Sequence, residues 1–446
     1  MVGTLPWKNL CLPFLALSAL IGCSATGSSQ SAPATVASAP PTLTVAPPEP
    51  AGPIMLGIDV LESQGFAALK GKTIGLLTHP AGVNRNGVST IEVLRRAPGV
   101  KLAALFAPEH GIYGDIPAGD KITDRKDART GLTVYSLYGT TTGPTKAQLK
   151  GIDVFVIDLQ DIGVRSYTFN VCMKYAIEGC FRNGVEVMVL DRPNPLGGLK
   201  VDGPLLDDDL KSGVGGYRIP YIHGLTIGEI ARMAAQAPAV LNVPEAVRAK
   251  GKLTVIPMRG WTRSMLWPET GLRFVTTSPL VPDFAAVVGY AMLGLGCQNS
   301  GFTHGIGSYY PFRGLAFKGL TSDQLLLQLT ALKVPGVGYR KITINDAAGK
   351  ATTGIYVDVT NWQAWNPTEL SFELLRLACR LNPPNPFTKL IADKTVPIFN
   401  KIVGSHEFLN ALQRDGAKVD IAGFEKTWQA RNAIYQQQTK KYWLYN

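Results

Sequence analysis

The sequence is poor in the residues that most often announce a function. Of 446 residues, six are cysteine and five are histidine. There is no C-x-x-C, H-E-x-x-H or H-x-H, so no metal-site spacing is present. No G-x-S-x-G elbow marks a serine hydrolase. No G-x-G-x-x-G follows the first apolar run, and Gly213-x-Gly215-Gly216 has no strand before it, so dinucleotide binding is not expected. Charged residues make up only 17% of the chain. The formal charge of +11 favours anionic partners, yet no basic run is longer than two residues. That scatter gives no stripe for nucleic acid, and no nucleic-acid partner is expected. The apolar stretch at residues 10–21 is too short to span a bilayer, and no internal repeat is seen.

What the chain does have is length and apolar mass. With 46% hydrophobic residues it can bury a core in two domains. Four apolar runs each end on a polar cluster. Ile74-Gly75-Leu76-Leu77 leads to Thr78-His79-Pro80, and Leu102-Ala103-Ala104-Leu105-Phe106 leads to Pro108-Glu109-His110-Gly111. Val154-Phe155-Val156-Ile157 leads to Asp158-Leu159-Gln160-Asp161, and Val187-Met188-Val189-Leu190 to Asp191-Arg192-Pro193-Asn194. Runs of this kind, separated by helix-like segments, predict parallel strands covered on both faces. Residues 54–281 are therefore expected to form a doubly wound, mostly parallel α/β domain. Ligands of such sheets bind beyond the carboxyl ends of the strands, where the four clusters meet.

Further strands are expected at residues 132–137 and 253–257, and helices at 90–96, 145–150, 167–183 and 225–235. The third helix has Phe169, Met173, Ala176 and Cys180 on one stripe and Gly184 just past its end. The loop at 111–130, rich in Gly, Asp and Lys, is long enough to expect a functional role. The texture changes near residues 279–282. Helices at 285–295, 369–381, 407–414 and 425–442, with an alternating strand at 354–359, predict an α+β domain over residues 282–446.

The N-terminus reads as an export signal over residues 1–22, with Lys8 ahead of the apolar stretch. It ends in Leu20-Ile21-Gly22-Cys23, which resembles a bacterial lipobox with Cys23 as the lipidated residue. Ser24 follows rather than Asp, so an outer-membrane anchor facing the periplasm is expected. Residues 23–53, dominated by Ala, Pro, Ser and Thr, read as an extended tether. Cys172 and Cys180 lie on one predicted helix with about 12 Å of rise between them, beyond disulfide reach, and are expected as buried thiols.

Glu109 is the candidate general acid. A carboxyl at the end of a buried strand, between Pro108 and His110, is partly desolvated, which favours its protonated form. Taken alone it could equally be a capping or ion-paired loop carboxylate. Its company argues for chemistry: Asp158, Gln160, Asp161, Arg165, Tyr167, Asp191, Arg192 and Asn194 all fall in neighbouring strand-end loops. That density of hydrogen-bonding groups suits a sugar. Individually, Asp158 and Asp191 fit helix caps, Asn194-Pro195 fits a turn, and Arg165 and Arg192 fit either carboxylate clamps or braces for the aspartates. His79, His110 and His223 fall on the same face. As a zinc set they would support metal-dependent amide or ester hydrolysis, although they sit on separate loops.

Three motifs carry a family likeness. Ala107-Pro108-Glu109-His110-Gly111, the run from Asp158-Leu159-Gln160-Asp161 to Tyr167-Thr168-Phe169, and Asp191-Arg192-Pro193-Asn194-Pro195-Leu196-Gly197-Gly198 resemble the NamZ family. Its characterised members are exo-β-N-acetylmuramidases that release N-acetylmuramic acid from the non-reducing end of peptidoglycan fragments. The likeness runs from residue 54 to the chain end, including Lys440-Lys441-Tyr442. It implies a Rossmann-like domain, a C-terminal auxiliary domain, a cleft between them, Glu109 as the acid and no cofactor. Peptidoglycan fragments in the cell envelope are the implied partners. Asp161 or Asp158 is expected as the second carboxylate. His79, His110, Gln160, Tyr167, Asp191, Asn194 and His223 are expected to line the sugar site. Because the lactyl carboxylate of muramic acid is charged, Arg165 or Arg192 is expected beside it. One segment departs from the family pattern. Where E-G-T-N-x-S-x-G-R-G-T is common, this chain has Gln298 or Cys297 and Ile306 at the acidic and arginine positions. Such a member would prefer another sugar, or bind fragments without cleaving them.

Overall fold

The structure, a computed structural model, describes residues 53–446 apart from residues 118, 121, 140, 346–348 and 392–397. The export signal, Cys23 and the tether up to residue 52 lie outside the described residues.

Seven strands form the first sheet: β1 (Thr73–Thr78), β2 (Lys101–Ala107), β3 (Arg125–Lys126), β4 (Thr133–Ser136), β5 (Val154–Asp158), β6 (Glu186–Leu190) and β7 (Leu253–Ile256). Their spatial order is β3-β4-β2-β1-β5-β6-β7, parallel except for the short β3 edge. Numbering only the parallel strands gives 3-2-1-4-5-6, the Rossmann order, with its switch point between β1 and β5. Helices α1 (Gly57–Ser63), α2 (Thr90–Arg95), α3 (Thr168–Arg182), α4 (Ile227–Gln236) and α5 (Glu245–Lys250) flank the sheet.

Alternation along the strands divides the core. Leu76, Leu105, Val154, Val156 and Met188 face one apolar cluster with α1 and α2 residues such as Ile58 and Leu94. Leu77, Phe106, Phe155, Ile157 and Val189 face the other, with Met173 of α3 and Ile230 of α4. Successive side chains on a strand point to opposite faces, so both faces being covered makes the runs apolar throughout.

The second sheet is antiparallel, in the order β10-β11-β9-β8, from β8 (Phe302–Thr303), β9 (Gly314–Phe317), β10 (Val337–Asn345) and β11 (Ala351–Val359). Helices α6 (Phe284–Leu293), α7 (Ser322–Leu332), α8 (Glu369–Leu381), α9 (Ile398–Val403), α10 (His406–Asp415) and α11 (Ile421–Thr439) accompany it. The expected α/β domain followed by an α+β domain is the observed architecture.

Local expectations fail where segments are short. Residues 145–150 make one turn rather than a helix: Leu149 N–H reaches the Thr145 carbonyl at 3.0 Å, but Lys150 N–H turns back to Ala147 at 3.3 Å. Gly151, at φ +77°, then ends it. The short helices α1 and α5, and also α7 and β10, have too little periodic signal to be read from sequence. α1 depends on Asp59, whose carboxylate accepts the Leu56 N–H at 2.8 Å.

The C-terminal segments return to the first sheet. Arg263 and Glu229, almost wholly buried, form an ion pair at 2.6 Å, and the Arg263 guanidinium lies 3.8 Å from the Trp443 ring centre. Tyr445 donates its hydroxyl to Asp191 at 2.5 Å. The main clasp is Arg165, which is wholly buried and makes no ion pair among the described residues. Its Nη1 donates to the carbonyls of Pro204 (2.6 Å) and Ile219 (2.9 Å), and its Nη2 to those of Ile402 (3.0 Å) and Val403 (2.7 Å) at the end of α9. Gly404 leaves the space: a Cβ there would stand 2.2 Å from Nη2. Replacing Arg165 by Met leaves these carbonyls without donors and is expected to lower stability by about 3 kcal/mol or more, read as a urea midpoint. Arg165→Lys should not restore it, because one ammonium cannot reach three separate segments. An unchanged midpoint would show that the clasp contributes nothing.

Candidate active site

β2 delivers Glu109 into a tight turn. Gly111 N–H returns to the Pro108 carbonyl at 3.1 Å, and His110 and Gly111 take φ +71° and +79°. A left-handed histidine is strained, and it aims Glu109 back over the sheet edge. His110 Nδ1 lies 2.9 Å from the Ile116 carbonyl, which can only accept, so Nδ1 carries the proton. Glu109 is 8% exposed. Its Oε2 accepts from Thr168 Oγ1 at 2.8 Å, and its Oε1 from Gly119 N–H at 3.3 Å in the 111–130 loop.

Asp161, beyond β5, reaches the same helix turn. Its Oδ1 accepts from Asn170 Nδ2 at 3.2 Å and its Oδ2 from Gly163 N–H at 2.8 Å. His223 Nε2 stands 3.3 Å from that Oδ2. Because His223 Nδ1 accepts the Leu225 N–H at 3.2 Å, the proton of a neutral ring is on Nε2, facing the aspartate. The two carboxylates thus flank the first turn of α3, one on Thr168 and one on Asn170. The positive end of a helix favours both charges there. Tyr167, the residue that starts the turn, has its hydroxyl pushed far above its ordinary range by burial, with Glu109 and Asp161 adding to the effect. One turn further on, burial and Glu109 raise the Cys172 thiol to about 12. Thr168 and Asn170 were not singled out in the sequence, where they look like ordinary helix residues.

Other candidates are braces. Asp158 is fully buried and accepts from Arg192 Nε at 2.5 Å and Nη2 at 2.8 Å, and from Thr90 Oγ1. A carboxylate so neutralised and closed to solvent is not free to act on a substrate, whereas Asp161 carries no such arginine pair among the described residues. Asp191 accepts from Tyr445, Thr226, Gly228 and its neighbour Arg192, so it caps α4 and anchors the chain end. Burial raises its carboxyl to about 7 against those donors. Asn194 holds a turn, accepting from Leu196 N–H at 3.0 Å and donating to the Leu225 carbonyl at 3.0 Å. The expectation that Arg165 meets a lactyl carboxylate is corrected: buried among carbonyls, it offers no face to a ligand. His79 accepts the Gln160 N–H on Nε2 at 2.9 Å and packs edge-on against Phe169 at 4.7 Å.

The second domain reaches the site through aromatic rings. Tyr290 of α6 meets Tyr167 edge-on at 6.2 Å and Phe312 at 4.6 Å, and Phe312 stacks on His304 at 4.1 Å. The altered segment at 296–308 therefore bears on the start of α3 through packing. α11 holds the other side: Tyr435 donates to the His223 carbonyl at 3.1 Å.

At the switch point lies a cavity of about 410 Å³, whose wall includes Gln160, the residue before Asp161, but neither Glu109 nor Asp161. Asn84, Arg85, Gln160, Arg192, Trp267 and Arg273 line it. Pro80, one residue beyond His79, forms part of its wall and packs against Gly114 of the loop that follows Glu109.

Burial keeps two histidines neutral. His79 is held well below 6.5, with the Arg192 charge adding to the effect, and His304 falls to about 4. Unfolding restores their ordinary proton affinity. From pH 6.5 down to about 4 the unfolded chain therefore binds more protons than the folded one, and stability falls on acidification. The expected slope is about 1.4 kcal/mol per pH unit for each histidine. Urea titrations at several pH values should show it, and His304→Gln should remove one histidine's share; the same slope in that variant would contradict the assignment.

Known proteins resemble this chain over most of its length. The family model described as "Exo-beta-N-acetylmuramidase NamZ, N-terminal" matches residues 74–285, and its C-terminal counterpart matches residues 288–445. The chain is 36% identical over 398 residues to the peptidoglycan beta-N-acetylmuramidase NamZ of Bacillus subtilis (strain 168), covering 88% of this chain and 91% of that protein. A DUF1343 family crystal structure from Bacteroides fragilis superposes with a TM-score of 0.77 at 35% identity, covering 88% of this chain and 99% of the other. A second from the same organism, at 24% identity and a TM-score of 0.67, covers 89% and 99% and shows the shared fold. This chain belongs to the NamZ family of exo-β-N-acetylmuramidases.

Proposed function

We propose that this protein is a glycoside hydrolase that removes N-acetylmuramic acid from the non-reducing end of peptidoglycan fragments. The observation that carries the reading is the pair of carboxylates, Glu109 and Asp161, on opposite sides of the α3 N-terminal turn. Family membership over nearly the whole folded chain supports it.

In this reading Glu109 is the acid. Thr168 Oγ1 and Gly119 N–H orient its two oxygens, and it gives its proton to the glycosidic oxygen as the bond to the anomeric carbon breaks. Asp161, held by Gly163 N–H and Asn170 and faced by His223, carries negative charge beside the oxocarbenium-like centre, and water then adds at the anomeric carbon, losing a proton to one carboxylate of the pair. His110 and Gln160 are placed as polar walls of the sugar site. Peptidoglycan places the enzyme in the cell envelope, and the lipobox-like run ending at Cys23 supplies a lipid anchor, with the Ala/Pro/Ser-rich tether holding the folded part off the membrane.

Glu109→Gln should lower kcat on a muramyl disaccharide by a factor of about 100 or more. The loss should be smaller with a nitrophenyl N-acetylmuramide, whose leaving group needs less protonation. Equal turnover by wild type and variant on the disaccharide would remove Glu109 from the acid role, and long incubation with bound fragments but no product would favour a non-catalytic binder. For the anchor, fatty-acid labelling should mark the wild-type protein and fail with Cys23→Ala; a labelled variant would refute it.

A further inference from the structure

The cavity at the switch point is rich in cationic groups. Three guanidinium groups line it, those of Arg85, Arg192 and Arg273. Only that of Arg192 is neutralised, by Asp158, and its Nη1 is bonded to none of the described residues. Arg85 and Arg273 are exposed and make no ion pair among the described residues. Asp59, an acidic group near Arg85, accepts the backbone N–H groups of Leu56 and of Arg85 itself, the latter at 3.1 Å. Asn84 Oδ1 fixes the same turn by accepting from Asn86 N–H at 3.1 Å and Val88 N–H at 2.9 Å. The backbone that presents Arg85 is thus fixed, and its exposed side chain makes no ion pair among the described residues, although its charge acts on the Asp59 carboxylate.

Two buried polar atoms belonging to the cavity wall also lack partners. Gln160 is 2% exposed; its Nε2 donates to the carbonyls of Asp161 and Pro193, and its Oε1 has no partner among the described residues. Trp267 is 6% exposed, and its indole N–H likewise has none. Both atoms are closed to solvent, so the cavity meets Gln160 and Trp267 through the rest of their side chains. The volume, about 410 Å³, lies in the range of small-molecule sites, about 300–1,000 Å³. An indole wall with convergent hydrogen-bonding groups is suited to a sugar, and the unpaired guanidinium groups are suited to a carboxylate.

We infer that this cavity is the specificity subsite of the enzyme, with Arg85 and Arg273 receiving the lactyl carboxylate and the Trp267 side chain walling the same sugar. This rests on the muramidase reading and deepens it. It moves the carboxylate from the motif arginines to two residues outside the strand-end motifs. Two wall residues link the cavity to the carboxylates: Gln160 immediately precedes Asp161, and Pro80 packs against Gly114 of the loop that follows Glu109. Arg192 contributes field rather than a clamp, because two of its three nitrogens are committed to Asp158 and the Val83 carbonyl.

The test compares nitrophenyl N-acetylmuramide with nitrophenyl N-acetylglucosaminide in wild type, Arg85→Met, Arg273→Met and the double variant. Both arginines are exposed, so the variants should fold. The ratio of kcat/KM for the muramide to that for the glucosaminide is expected to fall tenfold or more in at least one single variant and further in the double variant, mainly through KM. Arg273→Lys should recover part of the loss. An unchanged ratio in the double variant overturns the inference while leaving the muramidase reading intact. If wild type cleaves neither sugar, the muramidase reading fails, and the subsite is judged by calorimetry with free N-acetylmuramic acid and N-acetylglucosamine. A preference for the former that disappears in the double variant sustains the inference; no preference overturns it.

Discussion

Asp158 has no access to water and holds three strand ends in one arrangement. It comes from β5, takes two hydrogen bonds from Arg192 beyond β6 and one from Thr90 at the start of α2, which follows β1. Arg192 adds a bond to the Val83 carbonyl in the loop between β1 and α2. A buried charge without a partner costs several kcal/mol, so removing either member of the pair would leave the other unsupported. The loops around the switch point are therefore held at fixed distances. The cavity beside them inherits this rigidity, because Arg192 and the Asn84–Gly87 turn form part of its wall.

A second constraint acts on α3. Glu109 arrives from β2 and Asp161 from β5, on opposite sides of β1 in the sheet, and each accepts a hydrogen bond from the helix's first turn. The helix start thus spaces the two carboxylates, and its partial positive charge supports them. From the other direction Tyr290 and Tyr435, carried by α6 and α11, pack on Tyr167 and hold the His223 carbonyl. The second domain shapes the site by fixing these parts. Arg165 serves the same end, joining α9 to the loops that lead to His223. The altered segment at 296–308 fits this picture, since it touches the helix start through a relay of rings, and its replacement of acidic and arginine positions leaves Glu109, Asp161 and their direct partners in place.

Much of this was legible in the linear sequence. Period-two burial on both faces makes a parallel strand read as a continuous apolar run, and four such runs with polar ends determined the α/β class and the face on which the site lies. The polar ends offered Glu109, with Asp161 or Asp158 as its partner, although a strand-end carboxylate can equally cap a helix or pair with an arginine, as Asp191 and Asp158 do. The sequence by itself could not assign jobs among neighbours of like chemistry. Asp158 and Asp161 are three residues apart, yet one is locked to an arginine and the other faces a histidine. Arg165 and Arg192 both sit in motifs, yet one binds only carbonyls and the other braces an aspartate. Those outcomes depend on which groups from distant segments fill the remaining hydrogen-bond sites. Only tertiary structure decided them, as it alone brought Arg85 and Arg273 to one cavity across nearly two hundred residues of chain. A side chain's local sequence sets what it can bond, whereas its burial and its partners, set by packing, determine what it does bond.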